Sequence, residues 1–114
     1  MTIHHYILKD GKVVIEPDPI TWAMWFEKAE DRVVKQEFIG DSKVSTVFLG
    51  LDHNFEPDGP PILWETMVFD GKLDREMDRC AGNREQAEAM HARMAQRVRA
   101  AEKISSGEEN QIKT

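Results

Sequence analysis

Val44-Ser45-Thr46-Val47-Phe48-Leu49-Gly50-Leu51 and Ile62-Leu63-Trp64-Glu65-Thr66-Met67-Val68-Phe69 decide the fold. Both segments are rich in β-branched and aromatic side chains, which suit a pleated, half-buried surface. In the first, both alternating sets contain large apolar residues, so the strand is expected to be central with both faces at least partly covered. Asp52 through Pro61 separates the two with Gly59 and three prolines, a composition that reads as a loop joining antiparallel neighbours.

Upstream, Gly40-Asp41-Ser42 is a turn, and Val33 to Ile39 alternates weakly as a further strand. Trp22, Trp25, Phe26 and Ala29 fall at i, i+3, i+4 and i+7, the spacing of one helical face. Asp18 is placed to cap that helix, and Pro19 suits its first position, where a missing N–H is no loss. The spacing predicts a helix over 19–31 with Trp25 and Phe26 largely buried. At the start of the chain, Tyr6-Ile7-Leu8 and Val13-Val14-Ile15 flank Asp10-Gly11, a strong hairpin signal, which gives an opening hairpin over about residues 3–16.

Downstream, Asp70-Gly71 is a second turn signal, and Leu73 to Cys80 reads as a polar edge strand, a composition that discourages edge-to-edge pairing. Asn83 with Gln86 forms a capping box for a long helix carrying Ala87, Met90, His91, Met94, Val98 and Ala101 at helical spacing. The polar run from Ser105 predicts a disordered tail at 105–114, leaving one domain over 1–104. The element order ββαββββα implies an α+β fold: a single antiparallel β-sheet with two helices packed on one of its faces.

The chain has 114 residues, which fits one core and excludes a barrel or a full doubly wound dinucleotide fold. Its 15 Lys and Arg against 21 Asp and Glu give a formal charge of −6, which argues against generic binding to nucleic-acid phosphates. The acidic balance favours a protein target with a basic surface. A single cysteine, Cys80, excludes an internal disulfide and a thiolate zinc cluster within one chain, as expected in a reducing cytoplasm. No basic segment followed by an apolar run opens the sequence, so no signal peptide is expected. No run approaches the ~20 apolar residues that span a bilayer.

The two central strands, with Pro60-Pro61 before the second and Trp22, Trp25-Phe26 and the segment around Arg32 upstream, resemble a family of small uncharacterised proteins encoded in bacteriophages and prophages. The resemblance covers roughly residues 20–95. The connecting loop here carries Glu56-Pro57-Asp58 where a more glycine-rich loop is the pattern. The resemblance implies a phage accessory protein in a bacterial cytoplasm, with counter-defence as the natural role, and implies no activity.

Asp52-His53-Asn54 ends the best strand, where a loop could display it. Asp and His could hold a divalent metal, or His53 could act as a general base oriented by a carboxylate. The plainer reading is a strand-ending turn in which Asp and Asn bond backbone N–H groups. Glu65 lies in an apolar strand; buried, it would need a partner, but alternation also allows it to face solvent. Arg79 is the best countercharge or anion clamp. His91 on an apolar stripe is more often a bonded core or interface residue than a ligand, and Cys80 beside Arg79 reads as a structural thiol. The Trp22-Trp25-Phe26 stripe could stack a base but has the spacing of a core face. The arginines of the last helix read as a solvated face.

The expected function is binding of a host protein or a small molecule, with Asp52, His53, Glu65 and Arg79 as the binding residues and no cofactor, metal, nucleic acid or membrane involved. The alternatives are a small metal-dependent hydrolase or nuclease using Asp52, His53 and Glu65, and a virion component. Homo-oligomerisation is compatible with each.

Overall fold

The computed structural model describes residues 4–113 apart from 55 and 57, and side chains as far as Lys103. The chain runs β1 (Tyr6–Lys9), β2 (Lys12–Ile15), α1 (Pro19–Lys28), β3 (Val33–Ile39), β4 (Ser42–Phe48), β5 (Ile62–Phe69), β6 (Met77–Ala81) and α2 (Arg84–Lys113), the expected order. Of the tail expected at 105–114, α2 takes in the residues as far as Lys113; the side chains of that stretch and Thr114 lie outside the described residues.

The strands form two antiparallel sheets, not one. β3-β4-β5-β6 make a four-stranded sheet, and β1-β2 stand apart as a two-stranded hairpin. The hairpin turn uses Asp10 at φ 53° and Gly11 at φ 78°, the doubly positive conformation that Asp-Gly favours. Among the described residues the hairpin docks through one bridge, His5 to Leu51, with Tyr6 N–H donating to Gly50 C=O at 2.8 Å. Beyond Phe48 the first predicted strand therefore leaves regular pairing and serves as the hairpin's anchor. Gly50 sits there at φ +77°, and a Cβ on it would meet the Phe26 and Trp22 rings at 3.2 Å.

α1 starts as its sequence predicts, with the Asp18 carboxylate accepting from Ile20 N–H at 3.1 Å and Thr21 O–H at 2.7 Å. It ends at Lys28, and a 3-10 turn at Glu30–Arg32 replaces its expected last turn. The expected burial of Trp25 and Phe26 is corrected: α1 has no buried residue, and both rings are half-buried. The reason is what the helix packs on. It lies against the narrow hairpin, where Trp22 Nε1–H donates to Tyr6 C=O at 2.9 Å. It reaches the large sheet through Trp25, edge-on to Phe48 at 6.0 Å. The placement of both helices squarely on one sheet face is corrected for the same reason.

α2 covers most of the inner face of the large sheet, with Tyr6, Leu8 and Trp25 packed at its Phe48 end. Its Asn83–Gln86 capping box forms as predicted, with both reciprocal bonds at 3.0 Å. Phe48, Leu63, Trp64, Ala87 and Met90 form one core cluster with Tyr6 and Leu8, and Val44, Val68, Met94 and Val98 form a second. The predicted strand over Leu73 to Cys80 is shorter than expected: residues 71–75 turn, and pairing begins at Met77. Among the described residues no helix is long and apolar enough to cross a membrane.

Candidate functional site

The loop after β4 spends its polar groups on its own backbone. Asp52 Oδ1 accepts from Asn54 N–H at 2.8 Å and from Ile62 N–H at 2.9 Å, tying the loop's start to the first residue of β5. His53 holds its Nδ1 2.8 Å from Leu51 C=O, so Nδ1 carries the hydrogen and donates it. Asn54 accepts from Glu56 N–H at 2.9 Å and donates to Pro60 C=O at 2.8 Å. This is the turn geometry that short polar side chains form at strand ends. The Asp52 carboxylate also raises the pKa of the Tyr6 phenol, second to burial as a cause.

Glu65 lies on the sheet's outer face, opposite Arg79 in the β5–β6 register. Arg79 Nε–H donates to Glu65 Oε2 at 2.9 Å. The structure thus brings Glu65 and Arg79 together and holds Asp52 and His53 in the loop. Among the described residues no hydrogen bond or ion pair joins the two sets, and no group of three or more His, Cys, Asp or Glu side chains is arranged to hold a metal. Burial pushes the Cys80 thiol pKa up, Asp78 adds to the shift and Arg93 opposes it, which leaves a poor nucleophile.

Register places Val33 opposite Val47, Val47 opposite Glu65, Met67 opposite Met77, and Phe38 and Phe69 on either side of Lys43, all on the outer face. Of these, Phe38 is 78% exposed and Val33, Phe69 and Met77 each just over 40%. Lys43 Nζ lies 5.7 Å from the centre of the Phe69 ring. The Glu65–Arg79 pair therefore sits among apolar side chains on a face that no described residue packs over. Each strand shows this alternation in its sequence, but only pairing brings the rows into one patch.

On the inner face, His91 is 1% exposed and belongs to a buried polar chain that the sequence reading missed. Its Nε2 lies 3.0 Å from Glu37 Oε1, and its Nδ1 lies 2.7 Å from Thr46 Oγ1, itself 2.5 Å from Thr66 Oγ1. The carboxylate fixes a hydrogen on Nε2; with the ring neutral, Nδ1 accepts from Thr46, which accepts from Thr66. Arg99 closes the chain by pairing with Glu37 from outside. The hydrogen bond from His91 holds the Glu37 carboxyl below the usual carboxylate range, burial opposes this, and Arg99 and Lys35 reinforce it. A threonine, a histidine and a carboxylate in line suggest nucleophilic catalysis. However, Thr46 is fully buried between sheet and helix, so no substrate reaches its hydroxyl. The adjoining cavity of about 360 Å³ opens on the Glu37 and Arg99 side of the ring. A wider, more open groove of about 600 Å³ runs along α1, lined by Met24, Trp25, Lys28, Ala29, Glu30 and Asp31.

No family model, no curated protein and no solved structure matches the chain.

Proposed function

We propose that the chain acts by binding a protein and not by turnover, and that the outer face of β3–β6 around Glu65 and Arg79 is its contact surface. The observation that supports this is the gathering of Val33, Phe38, Val47, Met67, Phe69 and Met77 on that face. A solvent-facing antiparallel sheet normally shows polar residues outward, whereas an apolar patch edged by charge is the usual make-up of a protein contact surface. An open sheet face favours a protein over a small molecule, which takes a concave pocket.

The side chains able to do acid–base chemistry are already engaged: Asp52 by backbone N–H groups, His53 by Leu51, and Glu65 by Arg79. The resemblance of the central strands to phage and prophage proteins supplies the setting: an accessory protein in the cytoplasm of a bacterial host, directed at a host protein in a counter-defence role.

The rival reading is a metal-dependent hydrolase or nuclease using Asp52, His53 and Glu65. Calorimetric titration with Mg²⁺, Mn²⁺ and Zn²⁺, run beside turnover of oligonucleotides and nucleotides, separates the two. No saturable binding and no turnover are expected. Metal-dependent turnover that His53→Ala abolishes would overturn the binding reading.

A further inference from the structure

We infer that the half-enclosed cavity between β3 and α2 is a second binding site, and that it takes a small monocarboxylate with an apolar body. It lies on the inner side of the large sheet, away from the surface proposed for the protein partner, and does not depend on that reading.

The two walls of the cavity are each built by a local departure. α2 fills the rest of its sheet contact with Met90, Met94 and Val98 but presents Ala92 and Ala95 towards β3. Two short side chains there leave a gap of about 360 Å³, at the small end of the range for ligand sites. The opposite wall depends on an irregularity in β3. The β3–β4 register pairs Val33 with Val47 and Lys35 with Thr46, so Val34 is an extra residue in the edge strand. Regular alternation would send Lys35 outward with Val33. The extra residue turns it inward, and the consecutive residues Val34 and Lys35 both line the cavity. Bulges that re-aim a side chain in this way gather at sheet edges and beside functional sites.

The charge at the mouth fits one anion. Lys35 Nζ lies 3.8 Å from Glu37 Oε1, and Arg99 pairs with Glu37 Oε2. Glu37 Oε1 is also 3.0 Å from His91 Nε2, whose ring is held at its other nitrogen by Thr46. The remaining carboxylate, Glu88, is turned to Arg84 at 3.7 Å. Two cations against one committed carboxylate leave one positive charge. They also leave most N–H donors of an ammonium and a guanidinium without an acceptor among the described residues. A carboxylate supplies one negative charge and the planar pair of oxygens that a guanidinium binds as a fork. A phosphate dianion would set a second negative charge beside Glu37. Behind the cations, Val34, Ala92 and Ala95 offer an apolar floor that an inorganic anion leaves unused, and the buried His91 ring forms the inner wall.

Chemical-shift titration of the ¹⁵N-labelled full chain with butyrate, hexanoate, hexanol and inorganic phosphate tests this. Hexanoate is expected to give saturable shifts at the amides of Lys35, Ala92 and Ala95. It should bind roughly 15-fold tighter than butyrate, the effect of burying two more CH₂ groups. Hexanol and phosphate each carry only half of the recognised chemistry and should bind roughly tenfold more weakly than hexanoate or worse. Lys35→Gln and Arg99→Gln should each weaken hexanoate roughly tenfold, the loss of one charge-assisted hydrogen bond. Ala92→Phe fills the cavity from an exposed helix position and should abolish binding while the melting curve stays that of the wild type. Ile20→Asp, on an exposed position of α1, should change nothing.

The absence of saturable shifts with hexanoate overturns the inference. So does hexanoate binding that Lys35→Gln, Arg99→Gln and Ala92→Phe all leave unchanged. Phosphate that binds as tightly as hexanoate overturns the assignment to a carboxylate with an apolar body, and hexanol that does so overturns the role of the two cations.

Discussion

Trp64→Ala is expected to destabilise the protein by about 3–5 kcal/mol, the range for truncating a buried aromatic. Trp64 is 0% exposed and stacks edge-on with Phe48 at 4.9 Å in the main core cluster. Its Nε1–H donates to Gly82 C=O at 2.9 Å, holding the segment between β6 and α2 where the capping box begins. Truncation therefore leaves a cavity and an unpaired carbonyl near the start of the helix that covers the sheet. Trp25→Ala should cost less, because that ring is only half-buried against Phe48. Urea denaturation of the two variants checks the order; equal midpoints would mean that the α1 contact matters as much as the sheet core.

Loss of the buried polar chain is expected to have the next largest effect. His91→Leu nearly preserves volume but removes the acceptor of the Thr46 hydroxyl and the inner partner of Glu37. Leaving buried polar groups short of partners costs about 1–3 kcal/mol each, so a loss on the order of 2–4 kcal/mol is expected. Thr46→Val should be destabilising alone, whereas Thr46→Val and Thr66→Val together should be close to neutral in the His91→Leu background, since the pair of changes removes both remaining hydroxyls and leaves neither unpaired. Additive losses would show that the chain does not act as a unit.

The same chain sets a pH dependence. The carboxyl of Glu37 is held down in the folded state, first by the hydrogen bond from His91. Its contribution is complete above the unfolded carboxylate pKa of about 4.3 and is lost as pH falls through the lower folded value. The wild-type urea midpoint should therefore fall in acid below about pH 4, and Glu37→Gln should flatten that fall.

The element order was legible in the sequence because the signals that set it are local. Asp10-Gly11 needs positive φ, Asp18-Pro19 starts a helix, and Asn83 with Gln86 starts another; all act within four residues of themselves. What was not legible depends on long-range pairing. Whether β1 and β2 join the large sheet is decided by how His5 meets Leu51, and nothing in either short stretch announces that. The Trp22-Trp25-Phe26 spacing shows that α1 has an apolar face but not that its support is a two-stranded hairpin, too narrow to bury it.

The site followed the same rule. Glu65 and Arg79 were visible as candidates, yet their pairing needed the β5–β6 register. His91 was visible as a polar residue on an apolar stripe. Its partner Glu37 is 54 positions away on an edge strand where alternating charges look unremarkable. The apolar outer face is written across four strands, one or two residues in each, so no single window shows it.

Retention of bacterial host proteins on the immobilised chain, compared across the wild type, Phe38→Asp, Met77→Asp and His53→Ala, tests most directly the claim that this molecule works through its sheet face. The account predicts a protein retained by the wild type and by His53→Ala and lost by both face variants. Retention lost on changing His53 and unaffected by either face variant would contradict it and return the working surface to the loop after β4.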